Sequence, residues 1–476
     1  MSDWETVIGL EVHCELRTET KLFCGCRNAF GDEPNTNICP TCLGLPGSLP
    51  VLNRAAVEFA MRIGTALHCE VRPSIFHRKN YFYPDMPKDY QISQYDEPLN
   101  VNGWLELPDG TRVGIERAHL EEDTGKTTHV GTSGRIHGAD FSLVDYNRAG
   151  VPLVEIVSRP DIRSADQAKS YVAELRGILV ATGASDGKME EGSLRVDANV
   201  SVHRAGEPFG TRAEIKNLNS LRSLGRAIDY ETRRQVALLE DGGTVVQETR
   251  HWNEDEGRTS SLRTKEEAYD YRYFPEPDLV PLDPPVAWKD NVRASLPVLP
   301  AERRHRLAEL VGMAPADVSL LVELDLDRLV GDAISVGADP RIAVNRAANE
   351  VAAAPERAAA LDPTAFAALT RMEADGRLTA TQAKAVLAEV IASGGDPQAI
   401  ADAHGYAPAD SGLVEAAVDT AIADDEAAWA RYVGGEDKVA GLFVGKVMKA
   451  TGGKADGKAV TALLQSKRAA ATGQAH

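Results

Sequence analysis

The sequence predicts an α+β protein: a large region built on a mixed or antiparallel sheet, then an all-helical region and a small helical tail. Three observations carry this. Up to about residue 290 the chain is rich in Gly, Pro, aromatics and short alternating runs, the pattern of strands joined by tight turns. Pro281, Pro284, Pro285, Pro297 and Pro300 then mark a linker, and Ala-rich segments such as Glu415 to Ala430 favour helix beyond it. A second break falls between Gly405 and Gly412, where Gly, Pro, Asp and Ser cluster. A length of 476 residues fits about three domains at roughly 150 residues each.

The strands justify themselves by alternation. Val7 to Leu16 places Ile8, Leu10, Val12 and Cys14 on one face and Gly9, Glu11, His13 and Glu15 on the other. Arg195 to Val202 sets Arg195, Asp197, Asn199 and Ser201 against Val196, Ala198, Val200 and Val202. Thr211 to Asn217 puts Arg212, Glu214 and Lys216 on one side. Together they predict an antiparallel sheet with one apolar and one ionisable face. Short, stiff Asp, Asn and His among the Glu of that face suit a metal or phosphate site better than plain solvation.

Composition narrows the function. Hydrophobic residues at 43% and charged residues at 26% support sizeable cores and argue against disorder. No apolar run approaches the roughly 18 to 20 residues that cross a bilayer. The start Met1-Ser2-Asp3-Trp4-Glu5 lacks an export pattern, so a cytoplasmic protein with no membrane partner is expected. A net charge of −19 counts against a protein that coats nucleic acid, yet from Arg431 to the end eight Lys/Arg face three Asp/Glu.

Six cysteines are too few for a disulfide scaffold. Cys24-Gly-Cys26 and Cys39-Pro-Thr-Cys42 form two close pairs, each in a Gly/Pro/Asn-rich loop, a spacing that suits four thiolates around structural zinc. Cys14 and Cys69 read as core. Gly125-Lys126-Thr127 imitates the end of a phosphate-binding loop, but Leu120 stands where that motif needs glycine. Nucleotide would therefore be held through Mg²⁺ and side chains, for which Glu11, His13, Glu121, Glu122 and Glu214 are the candidate ligands and catalytic groups. Arg78, Lys79, Tyr81 and Tyr83 lie in one run that interleaves cations with rings, and Tyr271 and Arg272 in another. Such runs suit a loop at a groove that stacks bases and meets phosphate.

Ile8-Gly-Leu-Glu-Val-His13, Arg78 to Asp85, Tyr90-Gln-Ile-Ser-Gln94, His119-Leu-Glu-Glu-Asp123, Met189 to Arg195 and Asp270 to Asp278 together resemble the B subunits of aspartyl/glutamyl-tRNA(Asn/Gln) amidotransferases, the GatB/GatE family. The resemblance spans essentially the whole chain and rests, in the tail, on Gly441 to Ala450. It implies a cradle domain over residues 1–293, a helical domain over 294–405 and a tRNA-binding tail over 406–476. It also implies a glutamine-dependent ligase working with an amidase-fold A subunit and a small C subunit. On this reading ATP phosphorylates the side-chain carboxylate of mischarged Glu-tRNA(Gln) or Asp-tRNA(Asn), and ammonia from the partner displaces phosphate. Glu11, His13, Glu121, Glu122 and Glu214 match positions that hold Mg²⁺ or adjoin it, with Glu155, Glu190, Asp197, Asn199 and Lys216 behind them. Lys446, Lys449 and Lys454 become the tail's candidate tRNA contacts. A binding module without chemistry, which only presents tRNA to a partner, and a stand-alone metal hydrolase remain as rival readings.

Overall fold

The computed structural model describes residues 3–131, 139–264, 271–358, 360–406, 411–452, 455 and 457–472. Asp270 and Lys454, singled out above, lie outside them. Two compact units divide the chain, Met1–Glu302 and Arg303–His476.

In the first unit the order is β1 (Trp4–Glu15), α1 (Arg54–Ala66), β2 (Glu70–Val71), β3 (Ile75–Asn80), β4 (Tyr90–Glu97), β5 (Asn100–Glu106) and β6 (Arg112–Glu122). Then come β7 (Lys126–Gly131), β8 (Ala139–Asp145), β9 (Pro152–Ser158), α2 (Ala165–Ala181), β10 (Leu194–Arg204) and β11 (Ala213–Leu218). The unit continues with α3 (Leu221–Glu240), β12 (Glu248–Asn253), β13 (Arg258–Thr264), β14 (Phe274–Pro275) and α4 (Val286–Ala294). The main sheet runs β13-β12-β11-β10-β1-β9-β6-β4-β3-β14, with β5 on β6 and β2 on β5, while β7 and β8 form a separate ribbon. Only β11 and β12 pair in parallel among the described strands, so the sheet is mixed and mostly antiparallel, as expected.

The alternation of β1 decides which way the sheet faces. Ile8, Leu10, Val12 and Cys14 are wholly buried and join one core with Met61 of α1, Leu175 of α2 and Leu224 of α3. Each of these helices starts on a polar cap worth about 1 kcal/mol: Asn53 accepts from Ala55 N–H, Ser164 from Gln167 N–H and Ser220 from Ser223 N–H. Asn100 of β5 donates to the carbonyls of Ala60 (3.1 Å) and Ala118 (2.9 Å), riveting α1 to the sheet. The helices leave the other face, with Glu11 and His13, open.

The basic and aromatic runs are not simply loops. Arg78 to Asn80 finish β3, and Phe274 and Pro275 pair with Arg78 and His77 as the sheet's last strand. The pairing joins the two runs side by side, although 198 positions separate Arg78 from Glu276.

From the boundary onward all described regular elements are helical. They are α5 (Pro300–Val311), which straddles it, α6 (Ser319–Glu323), α7 (Asp327–Ser335), α8 (Pro340–Asn349), α9 (Pro355–Ala358), α10 (Pro363–Ala374), α11 (Ala380–Ser393) and α12 (Pro397–Ala403). After these come α13 (Ser411–Ala423), α14 (Glu426–Val433), α15 (Ala440–Ala450) and α16 (Gly457–Ala471). Three starts share one device: Asp339, Asp362 and Asp396 cap, and the following proline, which lacks an N–H to satisfy, opens the helix. One hydrophobic cluster runs from Leu307 to Ala401 and a second from Val418 to Leu464.

Candidate functional site

Strand register gathers the ionisable groups of the open face. Across one row Arg195 of β10 faces His13 of β1, His13 faces Glu155 of β9, and Glu155 faces His119 of β6. Glu121 stands two residues along β6 on the same face. His13 Nε2 lies 4.0 Å from a Glu121 oxygen and 3.7 Å from Glu155, and His119 Nε2 lies 3.9 and 3.8 Å from the same two carboxylates. Donor atoms of His13, Glu121 and Glu155 all fall within 4.8 Å of one another.

The electrostatics of this cluster are uneven. Burial pushes Glu155 up, yet His119, His13, Arg117 and Lys79 overcome it and hold its carboxyl at about 2. Burial and the Glu155 charge together push Glu121 up. Burial lowers His119 to about 4 and keeps it neutral. Neither nitrogen of that fully buried ring has a hydrogen-bond partner among the described residues. The two carboxylates supply the oxygen donors that a hard divalent cation such as Mg²⁺ takes, with His13 as a nitrogen donor at the same place.

The other predicted residues divide. Glu11, two positions before His13 on the same face, accepts from Asn199 Nδ2 at 2.9 Å. Glu214 faces Asn199 in register, two strands or about 10 Å from β1. There Lys216 Nζ bridges Asp197 at 2.5 Å and Glu214 at 3.1 Å, and Thr249 Oγ1 donates to Glu214 at 3.0 Å. Glu11, Asn199, Glu214, Asp197 and Lys216 thus continue the polar strip away from the His13 cluster.

Glu122 is not part of the cluster. It points to the opposite face of β6 from Glu121, where it accepts from Lys88 Nζ and from the Ile92 N–H at 2.8 Å. Glu190 sits exposed in the turn before β10 and joins neither group.

The cations and rings of the two runs also take different roles. Arg78 forks onto Glu276 at 2.7 and 2.9 Å and lies over Tyr90, so it locks β3 to the segment after β14. Lys79 lies 4.9 Å over Tyr271 and acts electrostatically on Glu155 and Glu121. Tyr81 packs on Tyr83 at 4.7 Å, and Tyr273 stacks on Tyr95 at 5.0 Å. Arg272 takes a left-handed φ of 48° just before β14. The rings therefore form a wall beside the acidic cluster.

The four predicted cysteines do converge. Cys42 Sγ lies 3.4 Å from Cys24, 3.7 Å from Cys39 and 3.7 Å from Cys26. Tetrahedral zinc with bonds of about 2.3 Å sets its sulfurs about 3.8 Å apart, so these thiols fit that ion. A hydrogen bond from Cys24 lowers Cys42 to about 4 against the push of burial, and the charge of Lys21 adds to it.

The tail is less basic than the count from Arg431 suggested. Over 406–476 eight Lys/Arg meet nine Asp/Glu, because α13 carries Glu415 and Asp419, α14 opens on Glu426, and Asp424 and Asp425 stand between them. Lys446 pairs with Asp425 at 2.9 Å, Lys467 with Asp419 at 2.8 Å and Arg468 with Asp437 at 2.7 Å. Lys449 is exposed.

Sequence reasoning left out His119, Arg117 and the Asp123–Arg195 pair at 2.6 Å. For His119 the signal was present: it shares parity with Glu121 along β6.

Comparison with known proteins adds the family. The family described as the GatB/GatE catalytic domain matches residues 6–290, and that described as the GatB domain matches residues 328–467. The chain is 52% identical over 98% of its length to the aspartyl/glutamyl-tRNA(Asn/Gln) amidotransferase B subunit of Frankia casuarinae, covering 95% of that protein. It is 50% identical to the like-named proteins of Salinispora tropica, with 97% and 96% covered, and of Mycobacterium bovis, with 97% and 94% covered.

Proposed function

Because this chain belongs to the GatB/GatE family of tRNA-dependent amidotransferase B subunits, we propose that its open sheet face activates the side-chain carboxylate of Glu-tRNA(Gln) or Asp-tRNA(Asn) with ATP and passes it to ammonia. The observation that carries the reading is the convergence of His13, Glu121 and Glu155 beside Lys79 and Arg117.

A carboxylate is a poor electrophile because its oxide does not leave. Attack by one of its oxygens on the γ-phosphorus of ATP forms an O–P bond as the bond to ADP breaks. The lone pair of ammonia then attacks the acyl carbon of this acyl phosphate, a C–N bond forms as the carbon–oxygen bond to phosphate breaks, and phosphate leaves with the proton that nitrogen gives up. Such transfer needs positioning and charge neutralisation more than covalent help. Mg²⁺ held by His13, Glu121 and Glu155, with Glu11 nearby, would supply part of that neutralisation at the phosphate oxygens. Lys79 and Arg117 bring fixed positive charge to the same place, and the tyrosine wall supports stacking of the terminal base. The Asp197–Lys216–Glu214 strip offers polar groups along which substrate or ammonia is oriented.

Ammonia would come from an amidase-fold A subunit in a complex completed by a small C subunit, in the cytoplasm. The tail would hold tRNA through Lys449, with Lys446 and Lys454, and zinc would tie the cysteine loops together. A module that only presents tRNA would keep all binding and need no ATP. The test is ATP hydrolysis by the complex with and without Glu-tRNA(Gln). Charged tRNA should stimulate the wild type, and Glu11→Gln should lose the stimulation while binding tRNA; an equal response from both proteins would refute the assignment.

A further inference from the structure

Lys21 is a lysine with no exposed surface at all. Burying an ammonium costs several kcal/mol unless anions or acceptors surround it. Its Nζ lies 3.6 Å from Cys42 Sγ and donates to the Tyr146 carbonyl at 3.2 Å. Its backbone is equally tied: the N–H of Lys21 donates to the Cys26 carbonyl at 3.0 Å, and the next N–H, of Leu22, donates to Gly150 at 2.9 Å. Lys21 therefore belongs both to the loop that carries Cys24 and Cys26 and to the segment between β8 and β9.

Four thiolates on a divalent ion leave two negative charges in a half-buried site. A buried cation with a donor aimed at the sulfur shared by all three close contacts offsets that charge. We propose that Lys21 is the positioning residue of the four-cysteine centre, holding the Cys42 sulfur by an N–H···S bond and fastening the loop to the 146–150 segment. The inference rests on the zinc reading above. The aliphatic stem of Lys21 and the carboxylate of Glu122 also flank Gly150 from 3.7 and 3.8 Å around its Cβ direction, so the two features meet at one backbone position.

The test measures zinc per chain and its release to a chromogenic chelator. The wild type should hold one ion, and a wild type without zinc would sink the metal reading itself. Given a loaded wild type, Lys21→Met should release zinc about ten- to a hundredfold faster, the usual effect of losing a partner of a metal ligand. Lys21→Arg should release it more slowly than Lys21→Met. Release from Lys21→Met at the wild-type rate would overturn the proposal. If Lys21→Met does not fold, Lys21→Gln, which keeps a donor but not the charge, decides: it should release zinc faster than the wild type, and release at the wild-type rate would overturn the proposal.

Discussion

Glu121 and Glu122 differ by one position in sequence and by one face of β6, and that difference separates their chemistry. Glu121 lies among His13, His119 and Glu155, whereas Glu122, 3% exposed, is paired with Lys88, itself 8% exposed. Removing one member of a buried pair leaves the other charge unpaired at about 3–5 kcal/mol. Glu122→Ala should therefore lower the chain's stability by that amount in a denaturant titration. Glu155→Gln should cost less, since the amide keeps the side chain's volume and hydrogen-bonding capacity and also removes the repulsion that Glu155 exerts on Glu121, although it gives up the attraction of His13, His119, Arg117 and Lys79. Equal losses would contradict this division. Parity along a strand separates the two glutamates in the sequence itself, placing His119 with Glu121 and Leu120 with Glu122. Glu155 also left a trace, as the one charged residue in the apolar segment Pro152–Ser158.

Elements were legible where their pattern was local. The faces of β1, β10 and β11 follow from alternation, and four cysteines in two loops followed from spacing. The pairing of β1 with both β9 and β10, and of β3 with β14, depends on contacts far apart in sequence, which no local pattern encodes. That is why the basic and aromatic runs read as loops: their half-exposed rings look alike at an edge strand and at a groove. Close packing of elements was equally hidden. Gly64 in α1 lies so near Asn100 that a Cβ there would collide with its side-chain amide, and Asn100 is held by Ala60 and Ala118. Gly64→Ala should destabilise the protein by about 1–3 kcal/mol, the range for an added methyl in a filled site. A thermal or denaturant midpoint at or above wild type would show that the α1–β5 contact gives way freely.

Across the whole molecule, charge is arranged more finely than a net of −19 implies. The tail's cations are matched by acids that the window from Arg431 missed, so if the tail holds tRNA as proposed, the contact falls to cations that remain exposed, such as Lys449. Lys449→Glu should weaken tRNA binding more than Lys446→Glu, whose side chain already serves Asp425. Each lost phosphate contact should flatten the log–log salt dependence by about 0.7–0.9. Identical affinity and slope in both variants would remove the tail from the tRNA interface. The change from strand-rich to helical texture at the proline linker is legible locally, whereas the pairing of tail charges needs three-dimensional neighbours. The central claim is that the His13, Glu121 and Glu155 cluster performs the activation, and supplying ammonium in place of glutamine isolates that half of the reaction. In the assembled complex with ATP, wild type should convert Glu-tRNA(Gln) to Gln-tRNA(Gln), and Glu155→Gln should bind the charged tRNA normally yet convert it at least about a hundredfold more slowly. Conversion by Glu155→Gln at the wild-type rate would contradict the account.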